Sequence, residues 1–343
     1  MRLDAVRQWI RKNRISSAVF VNTLHAKDSF IRYLSGFEVE RAVMIVSQNS
    51  ARLYVPEFEL SRARKESRIN AFPLQKKIAW NKLLGKGAIG VRKDCLPIAV
   101  LEEIRKSAKA KTADISQMCV EIRSVKNPEE IRRIRKACDI TDRAFAETLS
   151  SWKNFRTELD AAEFIKKSIR ERGGELAFEP IVASGRNAAF PHHKPGNARL
   201  AKGFCIIDMG AKYRGYCSDF TRTIFLGEAG GKHRDVYAML VRAQEQAIGE
   251  VKSNVNFKEV EKQIRIRLGR QARYFTHGLG HGLGTEIHED IPVPLKKNMV
   301  ITVEPGIYVH NKLGIRIEDT VAVSDKGAVC LTRFPKRLIQ VKV

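Results

Sequence analysis

The sequence predicts a mixed α/β protein of two units, and three observations carry that expectation. Roughly the first 120 residues alternate short apolar strands with amphipathic helices. The remainder orders its elements as helices, hairpin, helices, hairpin, a weak repeat with no sequence identity between its halves. At 343 residues, with 43% hydrophobic and 29% charged content, the chain has globular composition and room for two domains.

In the first unit, residues 2–12 carry the charge and apolar spacing of an amphipathic helix, and 18–22 (A-V-F-V-N) read as a short buried strand. Residues 42–47 (A-V-M-I-V-S), 51–55 and 87–91 read as further strands, and 99–108 as a helix. The segment 126–128 marks a boundary, so the predicted domains are 1–124 and 125–343. Pro128 followed by Glu129 and Glu130 opens a helix, with proline in the first turn and acids at the positive end of the dipole. Its stripe Ile131, Ile134, Ala137, Cys138, Thr141, Phe145 and Leu149 carries it through 149. A second helix is expected over 157–172, stopping at Gly173-Gly174. Residues 204–210 and 215–225 then form a hairpin across the polar turn Lys212-Tyr213-Arg214. Helices over 232–252 and 257–269 precede a second hairpin, 299–309 with 313–323.

Composition excludes several classes. No run of eighteen apolar residues appears and the N-terminus lacks a signal-peptide core, which predicts a cytoplasmic protein without a membrane span. Six cysteines without a C-x-x-C pair point to reduced thiols, not to a zinc ribbon or disulfide framework. The net charge of +24 raises nucleic-acid binding as a rival function. Residues 1–125 hold 24 Lys+Arg against 12 Asp+Glu, and 126–343 hold 38 against 26, so the excess is spread evenly. The densest basic run, 262–273, reads as a solvated helix face, and only weak, salt-sensitive binding is expected.

The chemistry concentrates in the second unit. The first hairpin carries D-M-G-A-K-Y-R-G-Y-C-S-D, with Asp208 and Asp219 eleven positions apart. With Tyr213 and Arg214 as the loop, Asp208 pairs directly with Asp219 and their Cβ atoms come within roughly 5 Å. Two carboxylates so placed repel unless a cation lies between them or one is protonated. A solvated strand face is the alternative, and the apolar flanks Cys205-Ile206-Ile207 and Thr223-Ile224-Phe225 weigh against it. The second hairpin gathers Glu304, Arg316 and Glu318 on one face, where a structural salt bridge is the alternative to a metal or substrate. Between them, T-H-G-L-G-H-G-L-G-T-E-I-H-E places His277, His281 and His288 within twelve residues among four glycines, which allow close backbone approach beside the imidazoles. The run S-G-R-N-A-A-F-P-H-H adds His192 and His193, and spacing does not decide which faces the site. Four carboxylates and an imidazole without thiolates suit Mn²⁺, Fe²⁺ or Co²⁺, with Zn²⁺ compatible. That many acids point to two metals roughly 3.5 to 4 Å apart, and hence to a two-metal hydrolase of open substrate.

The segments S-G-R-N-A-A-F-P-H, D-M-G-A-K-Y-R-G-Y-C-S-D-F-T-R-T, H-G-L-G-H-G-L-G-T-E-I-H-E, V-E-P-G-I-Y and G-I-R-I-E-D-T resemble, in order and spacing, the pita-bread metallopeptidases of the Xaa-Pro branch, prolidase and aminopeptidase P. F-I-R-Y-L-S-G-F (30–37) resembles that branch's creatinase-type N-terminal domain. Methionine aminopeptidases, which share the catalytic fold, differ in the histidine segment and typically lack the N-domain. The resemblance implies a pseudo-twofold αβ catalytic domain behind a small non-catalytic α/β domain that commonly forms a homodimer contact. It implies that Asp219 and Glu318 bridge two metals, that Asp208 is a terminal ligand of one, and that His281 and Glu304 complete the other. Glu304 would also take the proton of a bridging water, His192 and His288 would bond substrate and oxyanion, and His277 and Arg316 would support them. Mn²⁺ or Co²⁺ is the expected cofactor, ahead of Fe²⁺ or Zn²⁺. The expected substrates are Xaa-Pro dipeptides, with longer Xaa-Pro peptides as the alternative. Arg316 or His192 is the expected anchor for a dipeptide's free carboxylate.

Overall fold

The computed structural model describes residues 2–342, which divide into two compact units with the boundary between Arg123 and Ser124. The first is a six-stranded sheet in the order Ala71–Pro73, Ala51–Val55, Ala42–Ser47, Ile15–Asn22, Ala88–Val91, Thr112–Asp114. Ile15–Asn22 lies near its centre, antiparallel to Ala42–Ser47 and parallel to Ala88–Val91. Its alternate residues feed two cores: Ala18 and Phe20 pack in one, Val19 and Val21 in the other. Cover on both faces explains why these strands read as continuous apolar runs instead of alternating ones. Helix Ser29–Ser35, within the F-I-R-Y-L-S-G-F segment, is capped by Asp28 and ends at Gly36 in the left-handed region, φ 73°.

The second unit repeats one theme twice. Helix Pro128–Ser150 begins in a capping box, Asn127 with Glu130, and helix Glu158–Glu171 in another, Thr157 with Asp160. Both pack on the four-stranded sheet ordered Gln340–Val341, Phe220–Leu226, Gly203–Met209, Ile181–Ser184, with Phe145, Ile165, Ile207 and Ile224 in one core. In the second half, helices Gly231–Glu250 and Phe257–Leu268 pack on the strands around residues 300–323, with Leu240, Ile264, Ile301 and Val321 in another. The two helix-pair-plus-hairpin halves are the pseudo-twofold arrangement that the element order anticipates.

Both hairpins differ from expectation in a way that matters to the site. In the first, Tyr213 pairs with Tyr216 and Asp208 with Thr221, so Asp208 does not face Asp219. The loop is Arg214-Gly215, both at positive φ (46° and 85°), the geometry of a two-residue type I′ turn. Register therefore slides by one position on each strand, and Asp219 becomes a diagonal neighbour of Asp208 on the same face. The second hairpin is two ladders, Val300–Val303 with Asp319–Val323 and Gly306–Val309 with Leu313–Arg316. Pro305 lacks the N–H that would continue the ladder. Glu304 and Glu318 fall in the break between the two ladders.

Threonine hydroxyls stitch the two hairpins together. Thr223 Oγ1 donates to the Arg316 carbonyl (2.9 Å) and accepts the Arg316 N–H (3.0 Å). Thr320 Oγ1 donates to the Asp219 carbonyl (2.7 Å) and accepts the Asp219 N–H at 3.3 Å. All six cysteines are free thiols. No described helix is long and apolar enough to cross a membrane.

Candidate active site

A cleft of about 570 Å³ opens within the second unit, and its walls include Asp208, Asp219, His281, Glu304 and Glu318. Asp219, His281 and Glu318 each offer a donor atom within 4.8 Å of the others. Asp219 Oδ1 accepts the Phe220 N–H (3.0 Å), and its Oδ2 lies 3.5 Å from His281 Nε2. Glu304 Oε1 lies 3.3 Å from the same nitrogen and accepts from Thr302 Oγ1 at 3.2 Å. Glu318, 2% exposed, accepts from Thr221 Oγ1 (2.7 Å) through Oε2, while its buried Oε1 has no partner. Asp208 is alike: Oδ2 accepts from Arg316 Nη2 at 2.6 Å, and buried Oδ1 has none.

Crowding shifts these groups as elementary electrostatics requires. Burial, with Asp219 adding to it, lifts Asp208 to about 6 against the pull of Arg316. Burial lifts Glu304 to about 7 despite His281 and Arg316, and burial followed by the charges of Asp219, Glu304 and Asp208 lifts Glu318 well above the carboxylate range. Burial pulls the His281 imidazole down, but Asp219 and Glu304 outweigh it and raise it to about 9. Two orphaned carboxylate oxygens, acids resisting ionisation and an imidazole holding an extra proton form a donor set that lacks positive charge. Oxygen donors with one nitrogen fit a divalent cation. The tautomer fits too: Nδ1–H of His281 donates to the Gly282 carbonyl (3.0 Å), which turns Nε2 toward the acids.

The histidine segment is held in place by backbone contacts that only glycine permits. A Cβ on Gly280 would lie 2.1 Å from the Thr302 carbonyl oxygen, and one on Gly284 would lie 2.5 Å from the Glu289 carboxylate. Glu289 accepts the Thr285 N–H (3.0 Å) and pairs with buried Lys126 at 3.0 Å. Arg265, within the basic run, is not wholly solvated: it donates to the carbonyls of Phe275 (2.6 Å) and His277 (2.7 Å) and so clamps the segment. His288 stands exposed with its ring 4.3 Å from that of His281, and burial followed by the His281 charge lowers its pKa.

His277 and Arg316 belong to one chain of bonds. Arg316 donates to Asp208, to Tyr308 Oη (2.7 Å), to Thr221 Oγ1 (3.1 Å) and to the Pro191 carbonyl (3.3 Å). Tyr308 Oη lies 3.0 Å from His277 Nε2, and His277 Nδ1 lies 2.8 Å from the Gly278 carbonyl. Burial lowers His277 to about 4, with Arg316 adding to the effect, so at neutral pH its Nε2 accepts a hydrogen bond from Tyr308 Oη. Sequence reasoning missed Tyr308, Thr221 and Thr302. Tyr308 had a signal, since it stands four positions beyond Glu304 and strand alternation puts both on one face. The two histidines of the P-H-H segment divide: His193 Nε2 bonds buried Glu158 (2.6 Å), and His192 lines the cleft exposed.

Known proteins resemble the chain over nearly its whole length. The profile of metallopeptidase family M24 matches residues 132–325, and that of the creatinase/prolidase N-terminal domain matches 2–125. A Xaa-Pro dipeptidase of Pyrococcus horikoshii is 33% identical over 97% of each chain, and one of Pyrococcus furiosus is 34% identical over 98% of this chain and 99% of its own. The crystal structure of the Pyrococcus horikoshii prolidase superposes with a TM-score of 0.90 at 31% identity, covering 98% of this chain and 99% of that one. An X-Pro aminopeptidase from Thermotoga maritima superposes at 0.86 with 29% identity over 96% and 100%. With profiles, relatives and carboxylate cleft in agreement, the chain belongs to metallopeptidase family M24 and carries a creatinase/prolidase-type N-terminal domain ahead of its peptidase domain.

Proposed function

We propose that this protein is a Xaa-Pro dipeptidase that works with two divalent metal ions, Mn²⁺ or Co²⁺ ahead of Fe²⁺ or Zn²⁺. The observation that carries the metal reading is the pair of buried, partnerless carboxylate oxygens of Asp208 and Glu318, the latter residue grouped with Asp219 and His281. The substrate class is supported by the two relatives named Xaa-Pro dipeptidase, at 33% and 34% identity. Asp208, Asp219, His281, Glu304 and Glu318 would hold the ions, which when bound supply Lewis-acid activation of water and of the scissile carbonyl. Glu304 would accept the water's proton through its carboxylate and pass it to the leaving proline nitrogen. His288 and His192 would donate N–H to the carbonyl oxygen as negative charge builds on it. The chain Asp208–Arg316–Tyr308–His277 keeps the wall behind them fixed. In this reading residues 1–124 are non-catalytic and form the contact of a homodimer, and 125–343 carry the chemistry.

Metal dependence is the test. Chelation should abolish Xaa-Pro hydrolysis, and Mn²⁺ or Co²⁺ should restore it. Full turnover by protein verified metal-free would sink the reading. The superposition with an X-Pro aminopeptidase favours a second reading, cleavage of longer peptides. A higher kcat/KM for a Xaa-Pro tripeptide than for the dipeptide would select it.

A further inference from the structure

A dipeptide differs from a longer peptide by a free carboxylate one residue past the scissile bond, and a protein cation placed to receive that charge favours the dipeptide. The cleft has two permanent cations, Arg316 and Lys194. Arg316 already donates four hydrogen bonds, and its charge is paired with Asp208 at 2.6 Å. Lys194 is exposed and makes no hydrogen bond or ion pair with any described residue. The nearby acid Glu179 is engaged by Lys166 at 2.5 Å, so it does not neutralise Lys194. His193, tied back to Glu158, anchors the segment between His192 and Lys194, both of which line the cleft.

Building on the dipeptidase reading, we infer that Lys194 receives the free α-carboxylate of the substrate's proline and so sets the preference for dipeptides. An ammonium on a flexible stem suits a carboxylate whose position shifts with the residue before proline. The role is one of specificity: Lys194 touches no reacting atom, and its effect falls on KM.

The test compares alanyl-proline with its C-terminal amide on Mn²⁺-loaded wild-type, K194M and K194R proteins. In K194M the acid-to-amide ratio of kcat/KM should fall about three- to tenfold through KM, the scale of a charge-assisted contact with partial access to water. K194R should restore most of it. A ratio unchanged in K194M, or equal losses on acid and amide, overturns the inference and leaves the dipeptidase reading standing. A wild-type protein that cleaves neither compound overturns both.

Discussion

Glu304 and His288 face the same cleft but have different things to lose. Glu304 offers a carboxylate 3.3 Å from His281 Nε2, so E304Q removes both a ligand charge and the proton acceptor. Its turnover should fall nearly to background. His288 is exposed and bonded to no carboxylate, so H288A should retain its metal content while kcat drops by about 2.7 to 4 kcal/mol of barrier, the loss of one oxyanion donor. Metal analysis beside steady-state kinetics separates the two. If H288A empties the site, the division between His281 as ligand and His288 as substrate contact is wrong. Residue types and spacing made these side chains legible from sequence. Of the partners that hold them, Thr302 and Tyr308 share the strand face of Glu304 by alternation, which gives their side but not their bonds, and Thr221 carries no signal because its partner lies 97 residues away.

At the scale of elements, sequence placed most helices and strands, left helices Ser29–Ser35, Glu57–Glu66 and Ser116–Ser124 and strand Ile181–Ser184 unassigned, and erred where backbone geometry decides. The hairpin loop lies one position later than the polar run Lys212-Tyr213-Arg214 indicates, because Gly215, at positive φ, fixes the turn. One misplaced loop residue moved Asp219 from opposite Asp208 to diagonal from it. The break in the second hairpin likewise falls at Pro305, which interrupts the single ladder expected over 299–309 and 313–323. Helix Pro128–Ser150 carries a prediction of its own. Its Asp142 accepts the N–H groups of Arg333 (2.7 Å) and Phe334 (3.3 Å), yet burial raises it from 3.8 to about 6. A carboxyl raised in the fold is ionised first in the unfolded chain, so stability declines as pH climbs between those values and the cost is complete above 6. D142N keeps one acceptor and has no charge to bury. In chelator, its urea midpoint should exceed that of wild type at pH 8, and the gap should shrink at pH 4.5. A gap independent of pH would assign the effect to something other than ionisation.

For the whole molecule, the net charge of +24 is the property that family membership leaves unexplained. Its even spread predicts RNA binding that is weak, indifferent to sequence and lost steeply as salt rises. Filter binding across a salt series checks this, and nanomolar affinity surviving high salt would promote a nucleic-acid function. Overall architecture was legible because two helix pairs and two hairpins leave strong periodic signals. Which backbone groups join the halves was not, since that depends on threonines at 221, 223 and 320 meeting residues 93 to 101 positions away. That joint has a further consequence. The acids of the cleft are divided between the halves, Asp208 and Asp219 on one and Glu304 and Glu318 on the other, and Ile134, Cys138, Tyr216 and Cys217 of the first half share an apolar core with Leu283, Val300, Ala322 and Leu331 of the second. A cation bound among them would be coupled to the seam that this core fills, so by mass action it would act as a clasp. Parting the halves would release the cation and open that shared core together.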